Sequence, residues 1–472
     1  MSTPVRPSWP HCAHGADPAS DPVGCRGAHV PGHTACLAHL ADADRDAYLA
    51  GLGPRANVDH RGTTFTAPLL NALLDALREP ATGHPHFGTA RFGSATFKSD
   101  VGFESATFAK AVLFGPLRCT GEVALSGAVF GGPVTLMLAA LHLTCHRTRW
   151  SSTAEIRLRY ATVDFAQAVF EYPLTIAAEP VPFEFPGHSQ LAEDLFPSTS
   201  DSGVRVASLR GVDAAHLILS DLDLRDCLFV GAVHLDQLRL EGACTFGTAP
   251  PSRLRRWPPV WFTARRVLAE EHHWRASQPG AAQGWAPGPG RAGPLQLAPV
   301  YRALRKGYED GKHEPGAADF YYGEMEMRRH ADDIPRGERW LLAAYWALSG
   351  YGLRATRALA WLGFAMLLTI IFLMAYGLAE DTPSQTATGI VPAGGGKVTF
   401  QIDKDDPKNP NGDWFTGERF DKALSVTLNS VVFRSSGQDL TTAGTYIEMA
   451  SRVAEPVLLG LAVLAIRNRV KR

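Results

Sequence analysis

The chain has 472 residues, of which 45% are apolar and 20% charged, so it can bury a sizeable core and should form several domains. Its 46 basic and 47 acidic side chains leave a net charge of -1, which excludes the strong field of a nucleic-acid binder or of a highly acidic protein. The first twelve residues lack an apolar signal segment, so we expect the N-terminal body in the cytoplasm.

Residues 1–78 are predicted to be a Cys/His-rich N-terminal segment with capping helices, and the part that holds the cysteines is rich in glycine and proline, with too few apolar side chains to fold alone. Cys12, Cys25, Cys36 and His39 lie in it, and the last two have the two-residue gap of a zinc half-site. These four residues predict a structural zinc ion that would supply the missing stability. The alternative is a flexible tail whose thiols bind nothing.

Two short helices are predicted next, over 42–52 and 66–77. The second carries an apolar stripe that could cover the end of whatever follows it. The stripe consists of Leu69, Leu70, Leu73, Leu74 and Leu77.

A repeat with a period between five and six residues dominates the region 79–248. Bulky apolar residues recur in steps of five or six, each preceded by a small or aliphatic residue two positions earlier. The predicted core positions are Phe87, Phe92, Phe97, Phe103, Phe108, Phe114, Leu125, Phe130, Leu219, Leu224, Phe229, Leu235, Leu240 and Phe246.

Neither a helix, with a period of 3.6, nor a strand, with a period of 2, produces that spacing, so the chain must turn a corner at every unit. Four sides of alternating length five and six would return each side above its counterpart after twenty-two residues, with the large side chains filling the axis. The proline-rich residues 179–202 interrupt the repeat and are predicted to form an inserted loop.

The repeat resembles the pentapeptide-repeat family, and the motifs that carry the resemblance are Ala90-Arg91-Phe92, Ala95-Thr96-Phe97, Ala106-Thr107-Phe108 and Leu222-Asp223-Leu224. The resemblance implies a right-handed, four-sided β-helix over about a third of the chain. It indicates the fold and says little about function, because each coil only supports its neighbours and supplies a surface.

Residues 249–345 are predicted to be a helical and flexible cytoplasmic linker, with helices over 299–310 and 317–332. We interpret two groups of charged residues in it as solvated helix faces rather than metal sites. These groups are Glu270, Glu271, His272 and His273, and Glu324, Glu326, His330 and Asp332. No nucleophile with a base, phosphate loop or dinucleotide motif emerges, so we predict that the protein is not an enzyme.

Residues 346–472 are predicted to form a membrane domain. The uncharged run 358–379 is long enough to cross a bilayer, and a second span is predicted over 446–466. Arginines precede the first span and follow the second, which places both termini in the cytoplasm at the cell membrane. Glu448, Arg452 and Glu455 would then lie in or near the outer leaflet, paired along one helix face or lining water.

An amphipathic stretch, 420–433, lies between the spans and ends in Arg434, Ser435, Ser436 and Gly437. Two spans around a half-helix and a polar turn resemble the pore module of two-transmembrane cation channels, which some pentapeptide-repeat membrane proteins carry. Those channels coordinate K⁺ with the carbonyls of a threonine-valine-glycine-tyrosine-glycine filter, which this turn lacks, so K⁺ selectivity is not implied. The equal alternative is a two-span anchor with the stretch on the outer surface.

These observations predict a membrane-tethered, non-enzymatic scaffold or sensor, coupled to a channel-like pore in a homo-oligomer. The alternatives are a plain two-span anchored scaffold and, more weakly supported, a membrane enzyme. The expected partners are the lipid bilayer and an unidentified protein on the solenoid, not nucleic acid, and the resemblance suggests a bacterial source.

Overall fold

Bulky residues every five or six positions wind the chain into a β-solenoid of about seven turns over residues 86–241, as the repeat predicts. The computed structural model describes residues 6–184, 191, 193, 196, 202–251, 263–379, 384–391, 393–394, 396–403, 414–432 and 440–470. The chain divides into two units, Met1–Asp333 and Ile334–Arg472. The solenoid lies in the first unit.

The solenoid is built from short strands that pair in parallel with their counterparts one coil later. These strands, with the two that lead into the first coil, are Ala56–Asp59, Thr64–Phe65, His86–Arg91, Thr96–Phe97, Val101–Gly102, Thr107–Phe108, Val112–Cys119, Glu122–Ala124, Val129–Phe130, Val134–Ala139, His142–Thr144, Arg149–Trp150, Ala154–Arg159, Thr162–Asp164, Val169–Phe170, Leu174–Ala178, Arg205–Ser208, Leu217–Ser220 and Arg239–Glu241.

The strand register shows that the coil length varies along the stack. Phe108 pairs with Phe130, the full predicted coil of twenty-two residues. Phe130 then pairs with Trp150, and Trp150 with Phe170, so each of these later coils is two residues shorter. The predicted coil length therefore holds early in the stack and is two residues too long in these middle coils, whereas near the end of the stack Asp223 pairs with Thr245, again 22 residues later.

Aromatic rings stack along the solenoid axis. The ring centroids of Phe87 and Phe108 are 4.8 Å apart, those of Phe108 and Phe130 are 5.0 Å apart, and those of Phe130 and Trp150 are 4.2 Å apart. Such offset stacks add to the free energy gained from burying each ring. Of the fourteen predicted core positions, Leu240 is half-buried and the other thirteen are buried.

The insertion displaces the register without ending the solenoid. Val163 pairs with Val206, so this coil is about twice as long in sequence as its neighbours. Within the described part of the insertion, Glu193 accepts two hydrogen bonds from Arg159, at 2.6 and 2.9 Å, and one from Tyr160 at 2.8 Å. These contacts hold the insertion against the side of the solenoid.

Helices α1 (Asp42–Ala50) and α2 (Ala67–Ala76) precede the first full coil. The predicted leucine stripe of α2 is buried in the same core as Phe65 and Phe87. The helix therefore covers the open start of the stack, which would otherwise expose apolar rings to water.

Helices α3 (Ala269–Ala276), α4 (Pro294–Asp310) and α5 (Glu314–His330) cover the other end. The ring of Phe320 packs 5.1 Å from that of Phe246, and Glu270 accepts hydrogen bonds from the backbone N–H groups of Phe229 and Val230, the second at 2.9 Å. The carboxylate thus takes the place of a further strand. A short antiparallel pair, Gly247–Thr248 with Arg266–Val267, connects the solenoid to α3.

The prediction of solvated charged faces is wrong for four carboxylates, those of Glu270, Glu271, Glu324 and Glu326, which are all buried. Glu271 accepts hydrogen bonds from Arg265 at 2.5 Å, Arg275 at 2.6 Å and the Tyr301 hydroxyl at 2.5 Å. Arg275 follows Glu271 by four residues on the same helix face, but Arg265 precedes α3 and Tyr301 belongs to α4, so the local pattern does not show that Glu271 is buried. The predicted linker is therefore, up to Asp333, part of the first unit.

The second unit contains α6 (Arg336–Ser349), α7 (Ala355–Phe372), α8 (Gly417–Val431) and α9 (Thr442–Val470). A π-helical turn, Leu373–Gly377, extends α7. Between α7 and α8, Ser384–Val391 pairs with Gly396–Asp403 as an antiparallel hairpin. Helix α7 packs along α9, and α8 contacts both.

Candidate metal centre and buried polar groups of the helical unit

Three thiols and one imidazole converge in the N-terminal segment. The ligand atoms of Cys12, Cys25, Cys36 and His39 all lie within 4.8 Å of one another, which makes them the one group in the described residues able to hold a metal ion. The Cys12 and Cys25 segments are joined by backbone hydrogen bonds from Cys12 N to Gly27 O and from Ala13 N to Cys25 O, both 2.9 Å.

The separations fit a tetrahedral ion. Cys25 Sγ lies 3.8 Å from Cys36 Sγ, and His39 Nδ1 lies 3.4 Å from Cys36 Sγ and 3.6 Å from Cys12 Sγ. Zinc bonds of about 2.3 Å to sulfur and 2.0–2.1 Å to nitrogen put tetrahedral ligand atoms about 3.5–3.8 Å apart. The four residues therefore fit a closed, structural metal site without rearrangement of the fold.

The surroundings of the thiols support the same chemistry. The Gly27 N–H donates to Cys25 Sγ at 3.4 Å, and a Cβ on Gly27 would lie 2.7 Å from Cys36 Sγ, so only glycine fits between the two cysteines. The hydrogen bond between the Cys25 and Cys36 sulfurs lowers the pKa of Cys25 to about 5. The same hydrogen bond, together with burial, raises the pKa of Cys36. A metal ion would take both as thiolates.

The four other cysteines lie away from this group, in or beside the solenoid. Cys119, Cys145 and Cys227 are buried and Cys244 is half-buried. Burial raises the pKa of Cys145 and Cys227, as expected for thiols in an apolar core.

Two helices of the second unit are long and apolar enough to cross a bilayer: Ala355–Gly377 and Thr442–Arg467. Both are longer than the predicted spans at their N-terminal ends. Their outward faces carry exposed apolar side chains, among them Phe364, Leu367 and Ile371 on α7 and Val453 and Val457 on α9.

The polar residues predicted for the second span separate into two sets. Arg452 Nη2 lies 2.8 Å from Glu448 Oε1, so these two residues form the expected pair along one helix face. Glu455 takes a different partner: its Oε1 lies 2.9 Å from the hydroxyl of Thr369 on α7. Arg434, Ser435 and Ser436 lie outside the described residues.

Helix α8 packs against the two long helices through a mixture of apolar and polar side chains. Ala423 and Val426 are buried with Ile370 and Leu373. Arg419 is fully buried and donates to the carbonyl oxygens of Met374 at 3.1 Å and Leu378 at 2.9 Å, where the last turn of α7 has no backbone donors left.

Sequence reasoning missed Arg419 and Thr369. Arg419 stands at the start of an amphipathic helix and looks like an ordinary surface residue, and a threonine inside an apolar span carries no distinctive pattern. In the solenoid it missed Trp150 and Ile156, which continue the repeat in steps of five and six from Cys145.

No protein-family model, curated protein or solved structure matches this chain.

Proposed function

We propose that the protein is a membrane-anchored scaffold, in which a β-solenoid of the pentapeptide-repeat type is held at the cytoplasmic side of the cell membrane by α7 and α9. The observation that carries the proposal is the outward apolar surface of the helical pair, where Leu367 is 53% and Val457 56% exposed. A bilayer would cover such a surface, whereas water makes it costly.

The solenoid supports a binding rather than a catalytic role. Its coils present stacked polar and charged side chains on flat, parallel-paired sides, an arrangement that suits contact with another protein along its length. In the N-terminal segment a structural zinc ion, held by Cys12, Cys25, Cys36 and His39, would cross-link a chain that has few apolar residues.

The orientation follows from charge. Arg354 and Arg357 stand at the start of α7 and Arg467 at the end of α9, and arginine flanks favour the cytoplasmic side. We therefore place both termini in the cytoplasm and the hairpin between the spans outside.

A matched pair of substitutions tests the anchor in the full chain. Leu367→Arg places a charge in the middle of the first span and should reduce the fraction that resists alkaline extraction from membranes. Leu113→Arg changes a 41% exposed leucine on the solenoid side and should leave that fraction unchanged. A wild-type chain that is fully extracted without detergent contradicts the anchor. Affinity purification of the full chain, and of a chain that lacks residues 334–472, then tests whether a partner protein copurifies with the solenoid.

A pore is the second candidate, and the packing of α8 favours it. Ala423 and Val426 are buried against α7 and do not face an outer membrane surface. A re-entrant helix between two spans would require this burial. A pore predicts a homo-oligomer, countable by native mass spectrometry, with conductance in planar bilayers that changes on Glu448→Gln or Arg434→Gln. Silent bilayers with well-folded oligomers contradict it.

A further inference from the structure

A fully buried carboxyl group lies in the middle of the helical pair. Glu455 is the fourteenth of the 26 residues in Thr442–Arg467, about 20 Å from its start at 1.5 Å per residue. Its side chain has no exposed surface. The residue therefore belongs at mid-span, and not in or near the outer leaflet where we expected it together with Glu448 and Arg452.

The hydrogen bonds around Glu455 indicate its protonation state. The Thr369 oxygen lies 2.9 Å from Glu455 Oε1 and 3.0 Å from the carbonyl oxygen of Ala365. A hydroxyl has one hydrogen and can donate to only one of these two acceptors. If Glu455 carries a proton, it donates to Thr369, which donates to Ala365, and both contacts are satisfied.

The other carboxyl oxygen favours the same state. Glu455 Oε2 is buried without a hydrogen-bond partner among the described residues. An ionised carboxylate with a single hydrogen bond in apolar surroundings is costly, whereas an unpartnered carbonyl oxygen of a neutral acid costs far less.

The charged groups on α7, α8 and α9 either have partners other than Glu455 or lie at other positions along the helices. Between Ala358 and Gly377, α7 has no charged residue. On α8, Arg419 donates to the carbonyls at the end of α7, and Lys422 lies on the buried face one turn later. On α9, Arg452 is paired with Glu448. None of these has a described hydrogen bond or ion pair with Glu455.

We propose that Glu455 is a proton-binding site at the centre of the membrane unit, where the neutral acid links α9 to α7 through Thr369. Loss of the proton would leave a negatively charged carboxylate between the two helices with a single hydrogen-bond donor, the Thr369 hydroxyl. Proton binding and release would therefore change how tightly the helices pack. The inference rests on the proposed membrane anchor.

The test uses the full chain in phospholipid nanodiscs and N,N′-dicyclohexylcarbodiimide, which modifies protonated carboxyl groups in apolar sites. Mass spectrometry of peptides is expected to show modification at Glu455 that is lost as the pH is raised. Glu448, which is paired with Arg452, should remain unmodified and serves as the internal control. Glu455→Gln should lose the modification, while Glu448→Gln should retain modification at Glu455.

Three results overturn the inference. One is an unmodified Glu455 over the whole pH range in protein that resists alkaline extraction, which leaves the anchor standing. Another is modification independent of pH. The third is protection by Na⁺ at constant pH, which would assign a sodium site instead. A chain that alkaline extraction removes from membranes contradicts the anchor itself, so the two failures are distinct.

Discussion

Gly444 at the start of α9 lies against Gly377 at the end of α7, where a Cβ on Gly444 would overlap the Gly377 carbonyl oxygen. The same carbonyl accepts a hydrogen bond from the Thr441 N–H at 3.0 Å. The backbones of the two helices therefore meet without side chains between them, as small residues allow in membrane helix pairs.

Gly444→Leu should separate these two helices. The leucine side chain has no space at the crossing, and we expect a loss of about 3 kcal/mol of stability from overpacking. Gly460→Leu on the same helix is the matched control, because a Cβ there meets nothing within 4 Å. Thermal unfolding of the detergent-solubilised chain measures both. Equal melting temperatures for the two variants contradict the described crossing.

Cys25→Ser should remove the metal from the N-terminal segment. The purified wild-type chain is expected to contain one zinc ion, and the variant close to none, because three remaining ligands hold a structural ion poorly. Metal content by mass spectrometry is the measurement. Cys244→Ser, at a half-buried position outside the group, should retain the zinc. Wild-type protein without zinc after purification in zinc-containing buffer would show that the four residues do not form a metal site.

His60→Leu should make the protein more resistant to acid. His60 is 1% exposed, both ring nitrogens lack hydrogen-bond partners within the described part of the chain, and burial lowers its pKa from 6.5 to about 4. Because the unfolded chain gains the proton first, the neutral histidine contributes full stability above pH 6.5, and stability falls as the pH drops towards 4. The loss amounts to about 3 kcal/mol once the folded state is protonated as well.

The free energy of unfolding of the wild type and of the His60→Leu variant, measured between pH 7 and pH 4, tests this effect. Because the metal site is the same in both proteins, its acid sensitivity cancels in the difference between their free energies. The variant should lose less stability over that range. His142→Leu, at an exposed position on the solenoid, should follow the wild type. Parallel pH curves for wild type and His60→Leu would contradict the prediction.

Glu271→Gln should destabilise the helices that cover the end of the solenoid. Burial alone would raise the pKa of Glu271, but Arg265 and Arg275 outweigh it and lower the pKa to about 2. Removing the charge leaves the buried Arg265 and the half-buried Arg275 without their shared carboxylate, at a cost of about 3–5 kcal/mol. Glu309→Gln breaks a half-exposed pair with Arg305 and should cost at most about 1 kcal/mol. Hydrogen exchange of α3 and α4 measures both, and similar protection in the two variants contradicts the prediction.

The sequence predicted the features that repeat or that depend on local composition. Phe87, Phe108 and Phe130 recur once every four repeat units, so their stacking follows from the repeat. The apolar runs predicted the bounds of α2 to within one residue and the position of α7, although α7 begins three residues earlier than predicted. The shorter coils with Trp150 and Ile156 on the axis were missed because the step from Leu141 to Cys145 is only four residues, which interrupts the spacing of five or six.

Long-range polar contacts could not be predicted in the same way. Glu271 and Glu326 share Arg275, and Glu455 meets Thr369 on the other long helix. A charged residue beside other charged residues has the same local pattern whether it faces water or a distant partner. Only the packing of α3 on α5, or of α7 on α9, determines whether such a side chain faces water or a partner.

Both ends of the solenoid are closed, by the leucines of α2 at the start and by Glu270 at the finish. An uncovered last coil offers free N–H and C=O groups that can template the strands of another molecule. Glu270 satisfies two of those N–H groups at the finish, and the α2 leucines cover the apolar rings at the start. Both features oppose the addition of copies of this protein head to tail into a continuous fibre.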